Sequence, residues 1–455
     1  MDSKEYVKSL IAKAKIAQQK YEQFNQAEVD VVVREIAKVV FDNAVELARM
    51  AADETRMGVF EDKIKKNQGK AKILWHSLKP KKSVGIINRN EETGIVEIAK
   101  PVGVVGAVTP CTNPIVTPMC NAMFALKGRN AIIIAPHPRA KRCGKYTVEL
   151  FNKALEKYNV PENLIQIIEE PSVELTNELM KAVDVVVATG GMGMVKAAYS
   201  SGKPAYGVGA GNVQCIVDRD VELKEAVPKI IAGRIFDNGI ICSGEQTVIA
   251  PEEDYDKIIE EFKMNGAYYI DDKDEKEALR KVLFVDGIMN KDVVGQSVQK
   301  IAEMANLDIP KDTKVILVEA DGIGTEDILC KEKMCPVIAA FRYKEFSEAV
   351  SIAQANLDVE GKGHSVCIHS NNTANIEYAG VNLTISRLLV NQICATSNGG
   401  SFFNGLAPTT TLGCGSWGNN SVSENVDYKH FINVSRIGYF IKDAKVPGDE
   451  ELWGE

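Results

Sequence analysis

At 455 residues, 45% of them hydrophobic and 25% charged, the chain is longer than one hydrophobic core normally grows, which predicts two or three domains. Lys and Arg number 54 against 62 Asp and Glu, and the net charge of −8 gives no footprint for nucleic acid or an anionic membrane. Nucleotide cofactors stay open, because a helix N-terminus and a few cations suffice to bind them.

No apolar run approaches the roughly 18–20 residues of a membrane span. The opening "MDSKEYVKSLIAKAKIAQQKYEQF" has no apolar core region and no small-residue cleavage site, so it does not read as a secretory signal, and a cytoplasmic protein is expected. Tyr6, Leu10, Ile11, Ala14 and Ala17 recur at helical spacing and predict an amphipathic helix packed on the core. Helical periodicity continues to about residue 75. The stretch 83–101 alternates around "RNEETG" and predicts a hairpin, serving either subunit contact or pairing within its own domain.

From about residue 102 the runs "VGVVGAVTP", "NAIIIAPHP", "LIQIIEE" and "VDVVVATGG" alternate with helical segments. Nearly unbroken apolar strands between helices indicate an α/β fold with a parallel sheet covered on both faces. Ligands then bind at the carboxyl ends of the strands, where these runs break into Gly, Pro, Thr and His. After about residue 236 the alternation restarts with "QTVIAP", "TKVILVEA", "PVIAAFRY" and "GHSVCIHS". The expected division is a cofactor-binding domain over 1–235, a catalytic domain over 236–420 and a C-terminal oligomerisation or packing segment over 421–455.

The ten cysteines are dispersed, without a C-x-x-C, and fit reduced thiols. Neither Cys330 with Cys335 nor His364 with His369 has a matching pair, so no structural metal is expected. The two histidines border a strand and are expected to satisfy local bonds. Cys414 is expected to be inert, and His430 to pack in the C-terminal segment.

Cys242, in "DNGIICSGEQTV", stands between Gly239 and Gly244, which permit the sharp turn that exposes a reactive thiol. These neighbours alone do not separate it from a buried thiol. Other segments add to it. "AVTPCTNPIVTP" ends a strand and supplies Asn113, whose amide suits a developing oxyanion as well as a turn before Pro114. "TGGMGMVKAAYS" is a glycine turn opening a helix, as a pyrophosphate site requires, without the full G-x-G-x-x-G. "YGVGAGNVQCIV" places three glycines before a strand, and "CKEKMCPV" carries Glu332 just ahead of one.

In this order and at these separations the segments resemble the aldehyde dehydrogenase superfamily over essentially the whole chain, and more narrowly its coenzyme A-acylating branch. "DNGIICSGEQ", "KEKMCPV", "IIIAPHPRAK", "TLGCGSWGNNS" and "SENVDYKHFIN" are similar to the clostridial CoA-acylating succinate-semialdehyde dehydrogenases, and next to the acylating half of bifunctional aldehyde–alcohol dehydrogenases. The resemblance implies two Rossmann-like α/β domains, a small β-hairpin oligomerisation element and a homodimer or dimer of dimers. It implies Cys242 as nucleophile, with Asn113 and the Cys242 N–H as the oxyanion hole and Glu332 on the nicotinamide ribose. Thr109, Pro110, His137, Pro138, Arg139, Gly191, Gly193 and Gly209 complete the implied cofactor site. Ser243, Thr396 and Ser397 are implied substrate contacts.

Two departures bear on the reaction. Hydrolytic members carry a glutamate, the base for deacylation by water, where this chain has Gly207. Thioester transfer to the thiol of CoA is therefore expected, with the small glycine leaving room for its pantetheine arm. At "APHPRAKR" the superfamily's common ribose-binding glutamate is replaced by Ala140, with Arg139, Lys141 and Arg142 alongside, which favours NADP over NAD. The expected reaction interconverts succinate semialdehyde and succinyl-CoA. The alternatives are an acylating enzyme for acetaldehyde or butyraldehyde, or a hydrolytic aldehyde dehydrogenase. Partners are then small molecules, without nucleic acid or membrane. The chain begins directly in its first domain helix, so a free enzyme is expected and not one packaged in a microcompartment.

Overall fold

The computed structural model describes residues 2–454. Four helices come first: α1 (Ser3–Tyr21), α2 (Gln26–Asp42), α3 (Ala44–Thr55) and α4 (Phe60–Leu78). The start of α2 is fixed by a reciprocal cap, Asn25 Oδ1 accepting from the Glu28 N–H at 3.1 Å and the Glu28 carboxylate accepting from the Asn25 N–H at 2.7 Å. No helix is long and apolar enough to cross a membrane, among the described residues.

The hairpin follows as β1 (Gly85–Asn90) and β2 (Ile95–Pro101). The first α/β unit is β3 (Val104–Val108), α5 (Val116–Lys127), β4 (Ala131–Ala135), α6 (Lys141–Leu155), β5 (Ile165–Ile167), α7 (Val173–Ala182), β6 (Val185–Thr189), α8 (Met192–Tyr199) and β7 (Ala205–Val208). Its strands pair in parallel in the order β5-β4-β3-β6-β7. Every residue of β3 and β4 is buried, because helices cover both faces, so these strands read as unbroken apolar runs.

The second unit holds β8 (Gln214–Val217), α9 (Leu223–Ile235), β9 (Thr247–Pro251), α10 (Tyr255–Met264), β10 (Ala267–Ile270) and α11 (Lys273–Leu283). It continues through the short pair β11 (Phe284–Val285) and β12 (Ile288–Met289), then α12 (Val298–Ala305), β13 (Val315–Glu319), β14 (Val337–Tyr343) and α13 (Phe346–Val359). It closes with β15 (Gly363–His369), α14 (Thr373–Asn382), β16 (Ile385–Val390) and α15 (Cys394–Ser397). The seven-stranded sheet runs β10-β13-β14-β9-β8-β15-β16, also parallel. Ile216, Ile249 and Ile316 fill the core on one face, and Val217, Val248 and Leu317 that on the other.

One boundary differs from the sequence reading. Strand β8, placed there in the first domain, pairs with β15 and β9, so the chain passes to the second sheet between Val208 and Gln214. The glycine segment "GAGN" makes that passage, and no helix between the two strands marks it in the sequence. The hairpin pairs within the chain: the last strand, β17 (Ile432–Gly438), lies antiparallel to β2 and completes a three-stranded sheet.

Candidate active site

Strands β3, β4, β6 and β7 all end at one side of the first sheet, and the loops leaving them meet the second unit across a cavity of about 380 Å³. Such a crevice at the carboxyl ends of parallel strands is where an open α/β sheet binds ligands. Nine residues singled out in the sequence line it: Thr109 and Pro110 after β3, Asn113 before α5, His137 and Pro138 after β4, Gly191 after β6, Gly209 after β7, and Cys242 and Glu332 from the second unit.

Eight of the ten cysteines are buried, and the two that are not, Cys111 and Cys242, both line this cavity. Burial, then the charges of Glu332 and Cys414, push the Cys242 thiol up to about 12, with Arg387 opposing them. The "GAGN" segment passes hard against the cysteine: a Cβ at Gly211 would stand 2.0 Å from the Cys242 carbonyl oxygen. The Gly211 N–H donates to Glu332 Oε1 at 3.1 Å, which ties Cys242's neighbour to the carboxylate. Burial and the nearby Glu360 carboxylate push Glu332 up to about 8.

Asn113 is held by its oxygen, Oδ1 accepting from Lys66 Nζ at 2.9 Å, which leaves the amide hydrogens as donors. The Cys242 N–H makes no hydrogen bond to a backbone carbonyl among the described residues. Two donors on one cavity, beside a thiol, form the arrangement that stabilises an alkoxide grown on the attacked carbon.

At the cofactor side, His137 Nδ1 accepts from the Arg139 N–H at 3.1 Å, so the neutral ring carries its proton on Nε2. Burial, with Arg139 beside it, lowers the basicity of this imidazole. A side chain at Gly191 or Gly193 would meet nothing, so the turn before α8 is open to a ligand. Arg139 is exposed, its guanidinium bonded to the Thr55 carbonyl at 3.1 Å. Both Glu54 oxygens are engaged at the start of α6, by the N–H groups of Arg142 at 2.8 Å and Cys143 at 2.7 Å. This crevice of glycine turn, histidine, glutamate and nearby arginine fits a nicotinamide dinucleotide.

Several other expected site residues are placed away from the cavity. Ser243 is buried and its hydroxyl donates to the Ala395 carbonyl at 3.0 Å, fastening the cysteine loop to α15. Thr396 is exposed, because Cys394, Ala395 and Ser397 take the inner side of that short helix. Neither these residues nor Gly193 and Arg139 line the cavity. The room foreseen at Gly207 is closed: a Cβ there would meet Tyr199 Cε2 at 2.9 Å and Val195 Cγ1 at 3.0 Å. His364 does not satisfy local bonds. It is buried with both ring nitrogens unpartnered, and burial, then Arg387, bring it down to about 3. His369 instead contacts Cys367 Sγ at 3.7 Å, and with Cys215 the three ligand atoms lie within 4.8 Å of one another. They meet across paired strands, which sequence spacing does not reveal.

The sequence reading missed the lysines of α4. Lys70 Nζ donates to the carbonyls of Gly399 at 2.8 Å and Thr409 at 3.3 Å, has no carboxylate partner, and is brought down to about 8, burial being the largest cause. Close by, Thr410 lines the cavity with its hydroxyl unpartnered. Thr117 and Asn121, at i+4 and i+8 from Asn113, are buried with unpartnered polar atoms. Lysines at positions 63, 66 and 70 share a helix face with Leu74 and Leu78, and this phase was the available signal.

Residues 1–276 match the aldehyde dehydrogenase family. The chain is 58% identical over 454 residues to succinate-semialdehyde dehydrogenase (acetylating) of Clostridium kluyveri, an alignment covering 100% of each. An acetylating aldehyde dehydrogenase from Geobacillus thermoglucosidasius superposes with a TM-score of 0.94 at 39% identity, covering 98% of both chains. An engineered glycolyl-CoA reductase with bound NADP+ superposes with a TM-score of 0.86 at 27% identity, covering 95% of this chain and 96% of the other.

Proposed function

The chain belongs to the aldehyde dehydrogenase family, and on that footing we propose that it interconverts succinate semialdehyde, CoA and NADP+ with succinyl-CoA and NADPH. The aldehyde carbonyl sits beside Cys242 with its oxygen between the Asn113 amide and the Cys242 N–H. The thiol gives its proton to water and its sulfur adds to the carbonyl carbon, giving a thiohemiacetal whose alkoxide the two donors hold. When bound, the nicotinamide supplies the acceptor for the hydride that leaves this carbon, which converts the adduct to a thioester on Cys242. The thiolate of CoA then attacks the thioester, and the Cys242 sulfur leaves and regains a proton.

The observation that carries the choice of acyl acceptor is Gly207, which has no carboxylate and no room for one, so water at the thioester lacks a base at that position. Thiols need no such help, being good nucleophiles even when slightly ionised. Lys70 supports the substrate. A half-buried ammonium with no carboxylate partner, held by the Gly399 and Thr409 carbonyls, suits the distal carboxylate of a four-carbon semialdehyde. The relative from Clostridium kluyveri carries that substrate in its name.

NADP is preferred over NAD in this reading. Arg139 stands exposed beside His137, Glu54 has both oxygens engaged by backbone N–H groups, and Glu170 is paired with Lys141. The neighbour with bound NADP+ is consistent with it. Ten free thiols fit a reducing cytoplasm. The exposed apolar groups Ile86 and Ile437 on the three-stranded sheet, with Tyr439 and Phe440 just beyond it, fit a homo-oligomer contact there.

Rates of NADPH formation with succinate semialdehyde, acetaldehyde and butyraldehyde, each with CoA and either cofactor, test the substrate. Preference for the carboxylate-bearing aldehyde supports the assignment. Preference for the simple alkyl aldehydes overturns it and leaves the mechanism standing.

A further inference from the structure

Asp237 is fully buried and gathers bonds from α4: Lys66 Nζ donates at 2.6 Å, Lys63 Nζ at 3.1 Å and the Val59 N–H at 2.8 Å. Its own N–H donates to Asp62 Oδ2 at 3.0 Å. Lys66 uses a further hydrogen on Asn113 Oδ1 at 2.9 Å. An amide held in this way cannot flip without turning its NH2 group onto an ammonium, so its donor end stays toward the cavity.

The same carboxylate belongs to the turn that presents Cys242. Asp237, Asn238 and Gly239 are left-handed in succession, with φ of 53°, 52° and 73°. Two consecutive non-glycine residues in that region persist only where the surroundings hold them. Here α4 holds the first, and the Asn238 side chain donates to the Gly295 carbonyl at 3.0 Å. Gly239 then has to be glycine, since a Cβ would stand 2.4 Å from Arg234 Nη2 and 2.9 Å from the Cys335 backbone.

We infer that Lys66 is a positioning residue for the oxyanion hole: through Asp237 and Asn113 it fixes the side-chain donor relative to the backbone donor of Cys242. The inference rests on the reading of Asn113 and the Cys242 N–H as that hole. Lys66 touches neither substrate nor cofactor in this role. It sets the aim of a group that does, and an error of about 1 Å in such a group costs on the order of a hundredfold in rate.

The test is a mutant cycle on the full-length enzyme, read as the rate of the first NADPH equivalent formed from the aldehyde without CoA. Lys66→Met slows this burst by about tenfold to a hundredfold, with NADP affinity and aldehyde KM within about twofold of the parent. Lys66→Gln, which keeps a donor for Asn113, recovers much of the rate. The double variant Lys66→Met/Asn113→Ala is no slower than Asn113→Ala alone. A double variant slower by the full Lys66→Met factor overturns the inference, because Lys66 then acts elsewhere. An unchanged burst in Asn113→Ala overturns the underlying hole, a distinct result. Melting temperatures accompany each variant, and if Lys66→Met does not fold, Lys66→Ala takes its place in the same cycle with Asn113→Ala.

Discussion

The Tyr199 hydroxyl accepts from the Gly207 N–H at 3.0 Å and donates to the carbonyl of the same residue at 3.1 Å. The Tyr199 ring thus fills the space into which a side chain at position 207 would grow, and the helix bearing it packs directly on β7. Position 207 therefore has no room for an acidic side chain without a shift of Tyr199 or Val195.

Gly207→Glu therefore does not convert the enzyme into a hydrolase. The new side chain meets Tyr199 and Val195, and overpacking of this kind costs about 1–3 kcal/mol. Urea denaturation shows the loss, and no free succinate accumulates without CoA. Sustained release of succinate by this variant would count against the packing argument.

The Cys242 thiol, pushed up to about 12, is protonated at neutral pH in the free enzyme. Its alkylation by iodoacetamide, followed on the Cys242 peptide to exclude Cys111, rises from pH 7 to 10 without a plateau, by about tenfold per pH unit away from pH 8 and by less where Glu332 ionises. Glu332 raises the thiol's value only while it is ionised, and it ionises through about pH 8. Glu332→Gln therefore accelerates alkylation more at pH 9 than at pH 7. An equal acceleration at both pH values would contradict this coupling.

Lys70→Met raises KM for succinate semialdehyde by about tenfold or more, the worth of one charge-assisted bond, and leaves KM for butyraldehyde unchanged. The parent enzyme shows the same selectivity with pH. A cation brought down to about 8 is charged below that value and neutral above it, so KM for the anionic substrate rises from pH 7 to 9. Steady-state kinetics with both aldehydes separate this from a general loss of activity.

Arg139→Ala lowers kcat/KM for NADP by about tenfold and leaves that for NAD within twofold, because only the 2'-phosphate needs the guanidinium. Parallel titrations with the two cofactors decide it. An equal fall with both places Arg139 on the pyrophosphate or on the Thr55 contact alone.

Much of this architecture was legible because short apolar runs and helical phases are local. Val104–Val108 and Ala131–Ala135 announce covered parallel strands, and the cavity-lining residues cluster in the short segments that follow such strands. For the lysines of α4 only the helical phase was legible and not the role, since a lysine reads as a solvated face until its partner is known. The partner of Lys66, Asp237, lies 171 residues away. His364 escaped for a similar reason: whether a strand-end imidazole finds a bond is decided by tertiary packing, here the buried setting around Arg387. The exposure of Thr396 was not legible because a four-residue helix has too few turns to show which side faces inward.

The central claim is that the acyl group on Cys242 passes to a thiol and not to water, and NADPH formation from succinate semialdehyde with and without CoA measures this most directly. Without CoA the account predicts a single burst of about one NADPH per active site and then arrest, followed on CoA addition by steady turnover with equal amounts of succinyl-CoA and NADPH. Steady NADPH formation at full rate without CoA, with free succinate as the product, would contradict it.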